Sequence, residues 1–425
     1  MYSKEFRKLL RPNKLLLPKQ PIHDDFLYAI RKVFHWSSIF GVYGTRSYMN
    51  LFWTAVILGS LLVIEVMAIW KVIKALAGLA RDITGSVTAR LSGTIFYSIS
   101  IISLILSSKL SYSWRNLSEL WAKAERTVGV NIPADKTLKR RIFFVTGAMT
   151  FFSLFEHGLS ILSAIGLDCP AALVLKRYVI VSHGFIFMGH YSEWFALPLV
   201  LINTIAGMLW NFQDLLIVLI SMGLTSRYHR LNQCLAKICL LERKQMQSDK
   251  RTEAVKAYTW RKLREAYVKQ AMLVRLMDDA LGGIIVFSCS CNFYFICLQL
   301  FLVITQGQSS TIITSIYYVA SLLWLCVRVG SVVLAASDVN VHSRVALKYI
   351  YTYETHGYNV EVDRLQDQLT KDYIALSGMG FFYLNKTILL QMAGAIITYE
   401  LVLIQFDDQG NDGLQVNITK YIDIK

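Results

Sequence analysis

Three apolar stretches of the chain carry polar side chains at helical spacing. Over 142–166, Ser153, Glu156, Ser160 and Ser163 recur at steps of three and four, which aligns them on one helix face with His157 beside them. Over 194–221, Asn203, Trp210 and Asp214 share a face, with Asn211 adjacent, and 281–305 holds Ser288, Ser290, Asn292 and Gln299. Carboxylates, amides and hydroxyls around a flat indole suit a polyol. Sugar hydroxyls donate to carboxylates and amides, while the C–H face of the ring stacks on the aromatic. The same groups also suit interhelical hydrogen bonds that hold a bundle together, the reading preferred for Ser153, Ser160 and Ser163. Glu156 and Asp214 lean the other way, because an ionisable residue costs at least about 2.5 kcal/mol at a bilayer centre and calls for a reason.

The remaining candidates carry less. Glu65, near the end of its apolar stretch, reads as paired or snorkelling. His183, His190 and Glu193 hold metal-ligand types but lack the close spacing or fourth ligand of a metal site, so no metal and no cofactor is expected. No phosphate-binding loop, dinucleotide fingerprint, Gly-x-Ser-x-Gly or His-Glu-x-x-His occurs, and no catalytic residue is assigned. An enzyme is not expected.

The elements that position these residues follow from composition. The 425 residues are 54% apolar and 12% aromatic with mean hydropathy +0.43, against roughly 45–50% apolar for a soluble domain. The apolar residues gather into seven stretches long enough to span a bilayer as helices: 51–70, 91–108, 142–166, 194–221, 281–305, 312–335 and 379–406. Arg328 and Lys386 fall inside two of them. The net charge of +15 lies between the apolar stretches instead of on one soluble face, so no nucleic-acid partner is expected; the partner is membrane lipid. Seven scattered cysteines give no disulfide framework. The first 25 residues, charged and with three prolines, lack the apolar core of a cleavable signal.

Basic residues set the orientation. The segments 1–50, 109–141, 222–280 and 336–378 hold 34 Lys and Arg, against 8 in the alternate set. Cytoplasmic loops retain the basic excess, so the N-terminus is expected in the cytoplasm and the C-terminus outside. A G-protein-coupled receptor needs the opposite orientation. Against it also stand the absence of any Asn-Pro pair and the Gly-Leu-Asp-Cys-Pro that follows the third span. Against a transporter, only Pro198 interrupts a span and no internal repeat is found.

The cytoplasmic connection 222–280 carries two apolar stripes. Leu224, Tyr228, Leu231, Leu235 and Ile238 form one, and Trp260, Leu263, Tyr267, Val274, Met277 and Leu281 the other. The fourth and fifth spans therefore continue as helices into the cytoplasm. The stripes pack either within one chain or between subunits. In the last span, Thr398 and Gln405 share a face beside Tyr399, which could line a pore, and Phe406 could close it by dewetting.

Thr398-Tyr399, five residues, then Gln405-Phe406 resembles the C-terminal signature of insect gustatory receptors. The stretches FEHGLS (155–160), WNFQDLLIVLISMGLTSRYHRLN (210–232), WRKLREAYVKQAMLVRLMDDAL (260–281), CNFYFICLQL (291–300) and ALSGMGFFYLNKTILLQMAGAIITYELVLIQFD (375–407) are similar to the sugar-receptor branch. In several members an Asn-Asn pair stands where Cys291-Asn292 does here. The resemblance implies an all-α, seven-transmembrane protein that works as a sugar-gated non-selective cation channel in the plasma membrane of gustatory neurons. It would be a homotetramer, or a heterotetramer with related gustatory receptors. The expected parts are a cytoplasmic segment 1–50, a ligand-binding bundle 51–335 with helical extensions 222–280, an anchor segment 336–378, a pore-lining helix 379–406 and an outer tail 407–425. The ligand cleft would hold Glu156, His157, Trp210, Asn211, Asp214 and Asn292; the pore and gate would be Thr398, Tyr399, Gln405 and Phe406. A non-sugar tastant, a transporter or a coupled receptor are the alternatives.

Overall fold

A computed structural model describes residues 25–44, 47–77, 87–126, 135–187, 191–245, 253–306, 311–353, 359–402 and 405. Phe406, the tail 407–425, the first 24 residues and His190 lie outside the described residues. The described chain is almost wholly helical: α1 (Asp25–Ser37), α2 (Tyr48–Leu76), α3 (Val87–Arg126), α4 (Leu138–Ile165), α5 (Val174–Phe187), α6 (Glu193–Gln245), α7 (Glu253–Gln306), α8 (Ile312–Tyr351) and α9 (Val360–Lys371). A tenth helix, α10, runs over 386–402.

Among the described residues, α2, α3, α4, α6, α7 and α8 are long and apolar enough to cross a membrane. Each covers one expected span, and α10 stands where the seventh lies. Its start differs from the expected 379. Met379 and Gly380 adopt φ of 51° and 79°, a left-handed turn that no helix accommodates, and Ser377 bridges Tyr383. Lys386 is therefore the first residue of α10, at its end and not within it.

The core is centred on α6, where Leu209, Leu216, Ile217, Leu219, Ile220 and Leu224 are fully buried. The serine-rich α3 lies against it because its serines are small: Ser100, Ser103 and Ser107 are fully buried. Ser100 Oγ donates to the Ala206 carbonyl at 3.2 Å and Ser103 Oγ to Gln213 Oε1 at 3.1 Å. Small hydroxyl residues let two helices approach closely and bond across the seam.

Past residue 221, α6 and α7 continue as the sequence implies. Tyr228, Leu231, Leu235 and Ile238 of α6, and Trp260, Leu263, Tyr267, Val274 and Met277 of α7, are all buried within the one chain. Tyr267 Oη donates to Asn232 Oδ1 at 2.7 Å, and Glu242 accepts from Trp260 Nε1 and from Tyr353 Oη. Of the two packings left open, these stripes follow the one within a single subunit.

The amphipathic α1 docks onto this part of the bundle. Phe26, Ile30 and Val33 are buried while Tyr28, Trp36 and the basic Arg31 and Lys32 face outward. The Phe26 ring stacks on Trp121 of α3 at 4.4 Å and lies so close over Gly223 of α6 that a β-carbon there would collide with it.

Asp135 fixes the start of α4. Its carboxylate accepts from Thr137 N (2.9 Å) and Oγ1 (2.7 Å), from Arg141 Nη2 (2.6 Å) and from Ser226 Oγ on α6 (2.8 Å). Burial pushes this carboxyl up, but the bonds from Thr137 and Ser226 and the Arg141 charge outweigh it and bring it down to about 2. A depressed carboxylate adds stability above its ordinary value near 4, and that stability is lost as pH falls through the folded value. Purified protein should therefore lose melting temperature between about pH 4 and 2, and Asp135→Asn should flatten that part of the profile; parallel profiles would show that the group does not hold α4.

Candidate functional site

One cavity of about 360 Å³ opens among six helices, at the lower end of the ~300–1,000 Å³ typical of small-molecule sites. It lies in the half of the bundle remote from the 222–280 extension. Glu156, His157 and Ser160 enter from α4, Trp210 and Asn211 from α6, Phe295 and Gln299 from α7, and Tyr317, Ser321 and Arg328 from α8. Phe96 and Tyr97 of α3 and Tyr178 and His183 of α5 complete the wall.

One side is aromatic. Trp210 lies 4.6 Å from Phe295 and 6.4 Å from Phe96 between ring centroids, and the Arg328 guanidinium caps its face at 4.2 Å. Such a stack buries apolar surface while leaving an edge for a ligand's C–H face. The Trp210 and Trp324 indole nitrogens and Gln299 Oε1, on side chains that line the cavity, are buried without a hydrogen-bond partner among the described residues.

The floor is an ion-pair network. Arg328 and Asp214 are 2% and 0% exposed, and a buried ion in a bilayer demands a partner. Arg328 Nε sits 2.7 Å from Asp214 Oδ2, Nη1 donates to Asn211 Oδ1 at 2.8 Å and Nη2 to Asn292 Oδ1. Asp214 also accepts from Ser288 Oγ and from Asn292 Nδ2 (3.1 Å). A single guanidinium thus ties α6, α7 and α8 together. Beside it, Gln299 Nε2 donates to Ser321 Oγ (2.8 Å) and Ser321 Oγ to Glu156 Oε1 (2.7 Å).

At the other end Tyr97 Oη meets His183 Nε2 at 2.7 Å and donates to Asn203 Oδ1 at 3.0 Å, while Asn203 Nδ2 donates to Tyr178 Oη at 2.9 Å. His157 Nε2 is 3.0 Å from Thr204 Oγ1, whose proton goes to the Val200 carbonyl, so the imidazole nitrogen donates in that pair.

Of the residues expected in a ligand cleft, the fold brings Glu156, His157, Trp210 and Asn211 to one cavity wall. Asp214 and Asn292 lie beneath the floor, bonded to Arg328 instead of lining the space. Ser153 lines the cavity as well and contacts the Met208 sulfur (3.9 Å), while Ser163 donates to Thr314 Oγ1 (3.3 Å). Thr398 and Tyr399 of α10 and Gln405 beyond its described end are exposed and do not line the cavity. His183 is held by Tyr97. Sequence reasoning missed Arg328, though a cation within a span was itself the signal. It also missed the loop helix α5, read only as a connection, and Trp324 and Tyr317, which look like any apolar-span aromatic.

Comparison with known proteins agrees with this architecture. The trehalose receptor family model matches residues 13–415. The gustatory receptor for sugar taste 64a of Drosophila melanogaster is 31% identical over 337 residues, covering 76% of this chain and 71% of that protein. Gustatory receptor 5a for trehalose, from the same fly, is 32% identical over 316 residues, covering 72% and 68%. Among solved structures, the insect olfactory receptor OR5 from Machilis hrabei superposes with a TM-score of 0.65 at 13% identity over 90% of this chain and 100% of that one. With a family match along nearly its whole length and a shared seven-helix membrane fold, the chain belongs to the trehalose receptor family, a family of receptors and not of enzymes.

Proposed function

We propose that the chain is a sugar-gated, non-selective cation channel that acts as a gustatory receptor in the plasma membrane of gustatory neurons, N-terminus inside. The observation that carries the reading is the cavity itself. A carboxylate, amides and hydroxyls face an indole wall in a space of small-molecule size, the pairing of polar and flat surfaces that a sugar ring requires. Relatives named for sugar taste and for trehalose support the ligand class.

Four subunits, identical or mixed with related gustatory receptors, surround a central pore lined by α10. The cytoplasmic ends of the helices with 336–378 anchor one subunit to the next. Thr398 and Tyr399 face the conduction path, and Gln405 and Phe406 close it at the outer end by a narrow, dewetted constriction. Sugar favours the arrangement in which the α10 helices stand apart, so binding shifts the population toward the open pore.

Whole-cell current from cells expressing this chain alone, challenged with mono- and disaccharides and with bitter compounds, tests the reading. A cation current opened by particular sugars is the expected result. Current opened by bitter compounds alone would replace the ligand class, and sugar accumulation without current would replace the channel by a transporter. Phe406→Ala should raise the basal current several-fold without sugar, since it removes the apolar plug; an unchanged baseline with normal surface protein would place the gate elsewhere.

A further inference from the structure

Between α9 and α10 the chain makes a strap of irregular backbone that is buried where loops are ordinarily exposed. Residues 374–378 are buried in succession, and several of their polar groups are matched. Asp278 of α7 accepts from Ser377 N at 2.5 Å and from Ser377 Oγ at 2.8 Å. Ser377 Oγ in turn accepts from Gly380 N (3.1 Å), and Asn340 Nδ2 of α8 donates to the Ile374 carbonyl (2.8 Å). Leu384 N closes the hairpin on the Leu376 carbonyl at 2.8 Å.

The strap and α7 also touch through backbone. A β-carbon on Gly282 would lie 3.1 Å from Met379 N, and one on Gly378 would meet Phe382 at 2.5 Å and Val286 at 2.9 Å. Met379 holds φ 51° without being glycine, a conformation that persists only when its surroundings impose it. Asn385 Oδ1 then accepts from Ile388 N at 3.1 Å and starts α10. The base of α10 is thus tied to α7 through the strap, where the Asp278 carboxylate holds Ser377 by two hydrogen bonds.

We propose that Asp278 is the positioning residue that couples the sugar cavity to the pore helix. The proposal rests on the channel reading above. The helix α7 is one rod from Glu253 to Gln306. It holds the strap at Asp278 and a wall of the cavity at Phe295 and Gln299, about 25–32 Å further along at 1.5 Å per residue. Residues 398 and 399 of α10 lie toward the end remote from the strap. A tilt of α7 as the cavity closes on a ligand is imposed on α10 through this pivot. When the pivot is cut, ligand still binds but the pore helix no longer follows.

Asp278→Ala and Ser377→Ala test this, each scored for surface protein, maximal sugar-evoked current and, on purified protein, the sugar concentration that half-maximally raises melting temperature. Asp278→Ala should lower maximal current about tenfold at matched surface density, with the binding midpoint within about twofold of the parent. Ser377→Ala, which keeps the backbone donor, should fold as the parent does and show a smaller loss of the same kind. Adding Phe406→Ala to Asp278→Ala should restore the constitutive current of Phe406→Ala alone, because the pore is intact. Full maximal current in both variants overturns the proposal, as does a binding midpoint that weakens in step with the current. A parent chain that is stabilised by sugar yet passes no current removes the channel reading, and the coupling with it, while leaving the cavity as a sugar site.

Discussion

Arg328→Met should deplete the receptor from the cell surface, the largest effect expected of any single substitution here. Asp214 is fully buried and its counter-ion is the Arg328 guanidinium. Removing one partner of a buried pair leaves an uncompensated charge, at a cost of about 3–5 kcal/mol. Asn211 and Asn292 would also lose the donors that fix their amides. Asp214→Asn should act in the same direction, by stranding the guanidinium. The double variant Arg328→Met/Asp214→Asn removes both charges and should recover much of the surface protein, because replacing a buried ion pair by neutral groups is often near neutral. Surface biotinylation and size-exclusion profiles of the solubilised protein measure this. Normal surface protein in Arg328→Met would mean that water reaches Asp214 and that the network does not hold the three helices.

Glu156→Gln should leave the protein at the surface and raise the half-maximal sugar concentration about tenfold to a hundredfold, since a hydrogen bond to a charged group is worth about 1.5–3 kcal/mol. Glu156 lines the cavity, and Ser321 occupies one of its oxygens. A carboxylate has about four acceptor sites, so capacity remains for a ligand hydroxyl. Glutamine keeps the shape and the Ser321 contact while discarding the charge. Asp214 is the contrasting case: its acceptors are taken by Arg328, Ser288 and Asn292. Concentration–response curves on the two carboxylate variants therefore separate a ligand contact from a scaffold residue. An unshifted midpoint in Glu156→Gln would put Glu156 with the scaffold.

The apolar spans and the helical continuations of α6 and α7 were legible because both rest on periodicity and length, which survive any tertiary arrangement. The start of α10 was not, since Met379 takes a left-handed turn imposed by contacts from α7 that lie a hundred residues away in sequence. The cavity was half legible. Glu156 and Trp210 stood out as polar and aromatic residues in spans, but helical spacing gives a face and not a depth, so Asp214 could be assigned to a cleft when it lies under the floor. Arg328 illustrates the converse. A charge in a span names no partner by itself, and its pairing with Asp214 joins two helices whose relative rotation no single-helix pattern fixes. Tyr97, Tyr178 and Trp324 carry no sequence signal at all, because an aromatic in an apolar run is the ordinary packing residue.

The docking of α1 has a consequence for biogenesis. Its seat is assembled from Trp121 of α3 and Gly223 of α6, so α1 has no complete binding surface until the fourth span has been made. At about 5–20 residues per second, the ribosome takes about 10–40 seconds to travel from Phe26 to Gly223. Throughout that interval the apolar side of α1 is unpartnered, and its outward Lys32, Arg31 and Trp36 suit it to wait flat on an anionic membrane surface. Assembly is then ordered against synthesis: α1 is translated before its seat and reaches its native place only after the helices that form that seat.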